Sequence, residues 1–483
     1  YYQIERTKTA ACVGSVRADG NILSGKGVIV GVIDTGIDIF DNAFRNSDGT
    51  TRILNIYDQT TGEKYDKQSI DEYIRLNEDL SGGTFSYDNA PGVDNIMHGT
   101  DVSYIAAGSL GVAYEADIIA VKMGYSINNQ FPRTTSLMDA IDYIIRKAIE
   151  YRKPVAVNIS YGCNYGAHNG NTLLESFIDD ISKSYRCVIC VGSGNEADKA
   201  IHFGGIINTG QVQTAYLSVG EYQSAIDIQI WKNYWDTIDV MLINPRGEQI
   251  GIITEGRINR YETYNTEIIT LLGEPSPYNI YQEIYINLIP KTDYILSGIW
   301  QIVLMAGSIR AGEYNIWLPS SQALGYATAF NNPTADGTIT IPATARNCIA
   351  VGAYNAYTNS YAAFSGRGFD NSIRNVNAGV KPDITAPGVD ISIARQRGND
   401  ITYRNVTGTS YAVPVVTGAA ALLMQWGIVM GNDRFMYGEK LKAALIDGSK
   451  PVGLVGITRN DNQPDPRTGW GAVCLKNTLN KIL

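Results

Sequence analysis

The sequence predicts an α/β domain, a parallel sheet flanked by helices, with an antiparallel β-sandwich inserted into it. Three observations carry this. Short apolar runs alternate with amphipathic stretches through roughly the first 200 residues. From 211 to 331 helical periodicity disappears and alternating short runs with turn punctuation take over. After 332 the alternation of strand and helix signals resumes. The expected organisation is therefore 1–210 and 332–483 as the two parts of one domain, with 211–331 as the insertion.

From the N-terminus, GVIVGVIDTG at 27–36 is a continuous apolar run closing on an acid and a glycine turn, as a buried parallel strand does. GTDVSYIAAGSL reads as a helix entered through Gly99 and Thr100, and ADIIAVKM as the next strand. SLMDAIDYIIRKAIEYRK has apolar residues three and four apart, an acid early and bases late, so it predicts an amphipathic helix. PVAVNISYG is a strand, LLESFIDDISKSY a helix and CVICVGSGN a strand. The inserted strands include AIDIQIWKNYW, YQEIYINLI and GIWQIVLMAG, bounded by PRG, EPSP and AGE turns. The α/β signals return at TITIPATARNCIAVGAYN, followed by ITAPGVDISIA, a helix opening near Ser410, another over 438–447, and GWGAV.

At 483 residues the chain can bury a large core and hold more than one domain. A 44% apolar and 18% charged composition is that of a soluble globular protein, and no apolar run is read as reaching the roughly 20 residues of a membrane span. A net charge of −9 argues against a nucleic-acid or anionic-membrane surface. The chain starts at Tyr1, which is read as a processed or trimmed N-terminus.

There are six cysteines: Cys12, Cys163, Cys187, Cys190, Cys348 and Cys474. Cys187 and Cys190 form a C-x-x-C, but on a strand residues three apart point to opposite faces. Buried free thiols are the expected reading, in keeping with a reducing compartment or an anaerobic host.

Three separated stretches carry complementary chemistry. Asp34 ends the strand of VIDTGID, where a carboxylate can fix a histidine tautomer. His98 opens HGTDVSYIAAG and is the one histidine of three, beside His168 and His202, in such a context. Ser410 lies at the mouth of a helix in GTSYAVPVVTGAAALL, where the helix dipole favours a nucleophile. Read singly, these are a strand-end turn acid, a helix-start histidine and an N-cap serine. In the order Asp, His, Ser, with these flanks, the chain resembles the subtilisin-like serine proteases, the subtilases.

The resemblance covers 20–208 and 333–480 and implies a subtilisin-like fold and peptide-bond hydrolysis through an acyl-enzyme. It implies that Asn195 of VGSGNEA supplies the oxyanion amide, although glycine and asparagine also suit a plain turn. Ser160, Tyr161 and Gly162 resemble the strand that pairs with substrate backbone, and Gly192, Ser193 and Gly194 the opposite wall of the primary pocket. Residues 129–134 are expected to supply a second flanking strand. Tyr161 stands where leucine is usual, and Asp101 where the family commonly has a second histidine.

No metal constellation is assigned and no cofactor is required. Structural calcium, common in the family, has no assigned site. The implied partners are a polypeptide substrate and the chain's own N-terminal propeptide. The insertion resembles the jelly roll of the clostridial Csp germination proteases, which cleave the proenzyme of a spore cortex hydrolase. Some of these are pseudoproteases, so a non-catalytic sensor or scaffold and a general subtilase remain as alternatives. The Csp resemblance implies a place in the spore or cell envelope; a general subtilase would be secreted.

Overall fold

The computed structural model describes residues 3–14, 16–18, 20–78, 89–124, 133–253, 258–274, 279–369, 379–397, 400–453 and 464–483. Its main sheet runs from Ser360–Tyr361 at one edge through Ile349–Asn355, Cys187–Gly192, Val155–Ile159, Ile29–Asp34, Asp117–Lys122 and Ile53–Asp58 to Glu63–Asp66. Ile384–Pro387 also pairs with Ile349–Asn355. The interior pairings are parallel, and the two edge strands Ser360–Tyr361 and Glu63–Asp66 run antiparallel.

The continuous apolar runs have a simple cause, because both faces of the sheet are covered. Val30 and Val32 face one core layer with the helices His98–Ala107 and Thr409–Met424. Ile29 and Ile33 face the other with the helices Thr134–Tyr151 and Leu173–Ser184. A strand buried on both sides cannot afford the polar half of an alternating pattern. Cys187 and Cys190 follow the same rule and enter opposite layers. Burial pushes both thiols up to about 12, so they are inert apolar side chains at neutral pH.

The apolar stretch Thr409–Val429 corrects one expectation. It is 21 residues long and apolar enough to cross a membrane, but 89% of its most apolar 18 residues are buried within the protein. It is the central helix of the core, which is why no polar stripe interrupts it. A second correction concerns the cysteines. Cys163, Cys187, Cys190 and Cys348 are buried free thiols, but Cys12 and Cys474 form a disulfide. Those two lie in segments already joined by the bond from the Leu475 N–H to the Ala11 carbonyl, a proximity that 462 residues of separation hide.

The insertion is a sandwich of two antiparallel sheets with a core of its own. One sheet has the order Gln249–Ile252, Ile238–Ile243, Gly298–Ala306, Val212–Val219, Ala329–Phe330. The other has Ile258–Glu262, Thr266–Leu272, Tyr281–Pro290, Ile226–Asn233, Glu313–Trp317, His202–Ile206. Alternation works here as it should on half-buried strands. Ile228 faces Ile286 and Ile230 faces Ile284 across one pair, and all four are buried.

The sandwich grips the α/β domain just beyond the segments that approach the candidate site. The Tyr165 hydroxyl donates to Asp227 at 3.1 Å, the Gly166 N–H to Gln229 at 2.8 Å, and the Asn164 amide to the Leu318 carbonyl at 3.2 Å. Trp317 stacks between His168 and His202, with ring centroids 4.1 and 4.9 Å away. His202 opens a strand of the sandwich itself, upstream of the expected boundary at 211, and His168 is its structural neighbour.

Candidate active site

Asp34, Ile159 and Gly192 end neighbouring parallel strands at the same edge of the sheet, where open α/β sheets place their ligands. Asp34 closes the central strand and is 1% exposed. Its Oδ1 accepts the Thr35 N–H at 2.7 Å and lies 2.6 Å from His98 Nδ1. His98 begins its helix directly, one residue earlier than the expected entry at Gly99. The residue before it, Met97, has φ 67°, so the chain turns sharply into the helix.

The turn is held by Asp94, which the motif reading missed. Its Oδ1 accepts from Thr35 Oγ1 at 2.7 Å and from the Met97 N–H at 2.7 Å; its Oδ2 accepts from the N–H and hydroxyl of Thr100, both at 2.8 Å. The carboxylate thus caps the helix and ties it to the strand end that carries Asp34. The glycines of the two motifs permit the approach. A Cβ on Gly99 would lie 2.3 Å from the Gly36 carbonyl oxygen, and Gly36 itself has φ 128°.

His98 is one quarter exposed. Burial works against its charged form, but the facing carboxylates of Asp34, Asp94 and Asp101 outweigh it, and the imidazole pKa is raised. The ring lies 5.2 Å from that of Tyr411, which puts the residue after Ser410 against the imidazole.

Ser410 stands in the first turn of Thr409–Met424, behind Gly408 with φ 153°. Pro414, four residues on, has no N–H to give the Ser410 carbonyl. Ser160 Oγ fills the gap at 3.0 Å, and is itself positioned by the Asn158 amide at 2.9 Å. Ser160 therefore joins the strand end at Ile159 to the Ser410 helix. Asn195 reaches the same turn. Its Oδ1 accepts the Thr409 N–H at 2.9 Å and Thr409 Oγ1 at 3.1 Å, which leaves its NH₂ beside Gly408.

Thr340 lies between Ser160–Gly162 and Gly192–Gly194. A Cβ on Gly162 or on Gly194 would lie within 2.5 Å of a Thr340 side-chain atom. The Thr340 N–H donates to the Ser193 carbonyl at 3.0 Å, and Cys163 and Ile341 exchange backbone bonds. Ser193 is fully buried, with its hydroxyl on Ser365, its N–H on the Val351 carbonyl at 2.9 Å and its carbonyl on Thr340. Gly192 packs on Val413 and Thr409 of the Ser410 helix. Tyr161 borders a small apolar recess with Met123, Leu137, Cys163, Leu174 and Ile341. Of the expected second flanking strand, 129–132 lie outside the described residues, and Thr134 opens a helix.

Among the described residues no group of three His, Cys, Asp or Glu side chains could hold a metal ion. The Asp101 position has its own solution: its carboxylate pairs with Arg395 and Arg404 from the hairpin of Ile391–Arg397 and Asp400–Val406.

Comparison with known proteins bears on the whole arrangement. The subtilase family model matches residues 25–276 and 311–471. The structure of the CspB protease of Clostridium perfringens superposes with a TM-score of 0.87 at 34% identity, covering 98% of this chain and 96% of that one. Subtilisin E of Bacillus subtilis is 38% identical over 107 residues, 22% of this chain and 24% of that protein. Subtilisin-like protease 10 of Arthroderma otae is 34% identical over 120 residues, 25% of this chain and 27% of that protein. The matches to these two curated relatives thus span about a quarter of each relative's length.

Proposed function

The chain belongs to the subtilase family, and on that premise we propose that it is a serine endopeptidase working through Asp34, His98 and Ser410. One observation carries the reading: His98 Nδ1 is held at 2.6 Å by buried Asp34 while its ring faces the residue next to Ser410. With the Nδ1 proton directed at the carboxylate, Nε2 is left as the base.

The reaction follows from these roles. Ser410 Oγ attacks the scissile carbonyl as its proton passes to His98 Nε2. Asp34 stabilises the imidazolium and remains ionised. The tetrahedral oxyanion is met by the Ser410 N–H and by the Asn195 NH₂, which the Thr409 bonds leave beside Gly408. His98 then gives its proton to the leaving amine, and the C–N bond breaks to leave the acyl-enzyme. Water repeats the sequence with His98 again as base, releasing the acid and restoring Ser410.

The substrate is an extended polypeptide whose backbone adds to the strand edge at Ser160–Gly162. The cleavage is narrow and serves to process a proprotein. End-to-end similarity to the CspB protease favours this, as does the sandwich anchored on the 164–169 segment that leads away from Ser160–Gly162. Extra fixed surfaces reject most chains, which suits a processing enzyme. The Csp likeness points to a spore hydrolase proenzyme as substrate, and the family to a propeptide as an earlier partner of the cleft.

The test is hydrolysis of short peptides by wild type and Ser410→Ala, followed by a cleavage profile on a denatured proteome. Turnover confined to wild type, with few cleavage sites, is expected. Equal turnover by Ser410→Ala would overturn the mechanism, and cleavage of most proteins at unrelated sites would overturn the processing role.

A further inference from the structure

Asp101 lies three residues after His98 on the same helix, and its side chain is 0% exposed. A buried carboxylate at that depth needs compensation. It comes from a hairpin some 300 residues away in sequence, as the residue separation of 294 between Arg395 and Asp101 records. Arg395 Nε donates to Asp101 Oδ1 at 2.9 Å, and its Nη2 also reaches the Met97 carbonyl at 2.8 Å. One guanidinium therefore clasps the residue before His98 and the residue three after it. Arg404, on the neighbouring strand, pairs with Asp101 Oδ2, and its charge works against the rise that burial gives the pKa of Tyr411, whose ring faces the imidazole. The hairpin's far end is fixed as well: Arg397 Nε donates to buried Asp38 at 2.7 Å.

We propose that Asp101, Arg395 and Arg404 are positioning residues for the catalytic pair. The cluster fixes the His98 helix and through its net charge sets the pH at which His98 becomes a base. The inference rests on the reading of His98 as the general base.

The charged and titratable groups facing His98 can be named element by element. Asp34 comes from the central strand, Asp94 from the preceding turn, and Asp101 from its own helix. Arg395 and Arg404 come from the hairpin, on the carboxylate of Asp101, and Tyr411 from the Ser410 helix. Asp101 favours the imidazolium, and the two arginines offset that effect. Burial raises the Asp101 pKa, and Arg395 and then Arg404 act against that rise. Arg395 is 12% exposed and Arg404 is 41% exposed, so Arg404 can be altered with least damage to the fold.

The experiment measures the rate of fluorophosphonate labelling of Ser410 against pH, alongside thermal melts, for wild type, Arg404→Gln, Arg404→Lys and Asp101→Asn. Removing the Arg404 charge leaves more net negative charge facing His98, so its pKa rises. The acid limb of the Arg404→Gln profile should therefore move up by roughly half to one pH unit. Arg404→Lys keeps the charge and should restore the limb, but with a lower plateau because an ammonium lacks the guanidinium fork. Asp101→Asn leaves the two arginines uncompensated and should move the limb down. If Arg404→Gln and Arg404→Lys both label with the wild-type limb and plateau, and only melting temperature changes, the cluster is merely structural and the proposal fails. Wild type that is folded yet labels at no pH would instead overturn the Ser410–His98 assignment itself.

Discussion

Asn195 and Thr409 are joined twice: one carboxamide oxygen accepts both the N–H and the hydroxyl of the threonine, at 2.9 and 3.1 Å. Because the oxygen is committed, the amide nitrogen is the end left beside Gly408 and the first turn of the Ser410 helix. The side chain is thus oriented before any ligand arrives, as a donor for a developing negative charge must be.

Asn195→Ala is expected to lower kcat by about 100- to 1,000-fold, the range such a donor has in subtilisin, with little change in KM. The donor strengthens its bond only as the oxyanion forms. Asn195→Asp keeps an acceptor for Thr409 but removes the donor and adds a negative charge, so its kcat should fall at least as far. Steady-state kinetics on a short peptide decide this, and an unchanged kcat in both variants would remove Asn195 from the site.

Gly99→Ala should damage the fold and the site together. The new methyl would lie 2.3 Å from the Gly36 carbonyl oxygen and 2.9 Å from Asp34 Cβ, and neither backbone nor strand end can yield cheaply. Overpacking of this kind costs about 1–3 kcal/mol. A melt shows the loss of stability, and slower probe labelling shows the displaced Asp34–His98 pair. Wild-type behaviour in both measurements would mean that the two backbones do not touch as described.

Much of this site was legible in the sequence because it is built from local contrasts. VIDTG marks a buried strand that ends abruptly in an acid, and HGT and GTS each place a chemical residue where a helix begins. The alternating strands of the insertion were equally plain, because one face of each is buried and the other is not. The illegible parts are pairings between distant segments. Nothing local marks Arg395 and Arg404 as partners of Asp101, or Cys12 as the partner of Cys474. Asp94 was missed for another reason: as an acid in a turn it looks like any loop residue, and only the hydrogen bonds it accepts from Thr35, Met97 and Thr100 set it apart.

Asp41 offers a stability test tied to pH. It is fully buried, and desolvation raises its pKa from 3.8 to about 6. The folded state therefore holds a proton between those values that the unfolded chain has lost. Stability falls as pH rises from 3.8 to about 6, and the full penalty persists above that range. Asp41→Asn retains an oxygen for the Ala43 N–H and removes the ionisation. It should stabilise the protein by about 1–3 kcal/mol at pH 7, a gain that vanishes by pH 4. Melts at both pH values measure the difference; equal effects of the substitution at the two values would contradict the assignment.

The central claim is that Asp34, His98 and Ser410 act as one unit, and covalent labelling tests it most directly. Wild-type protein with an open cleft would be treated with a fluorophosphonate probe and mapped by peptide mass spectrometry, beside Ser410→Ala and His98→Ala. A single adduct on Ser410, absent from Ser410→Ala and slowed by orders of magnitude in His98→Ala, is the predicted result. An adduct on Ser160 or Ser193, or equal labelling of Ser410 with and without His98, would contradict the account.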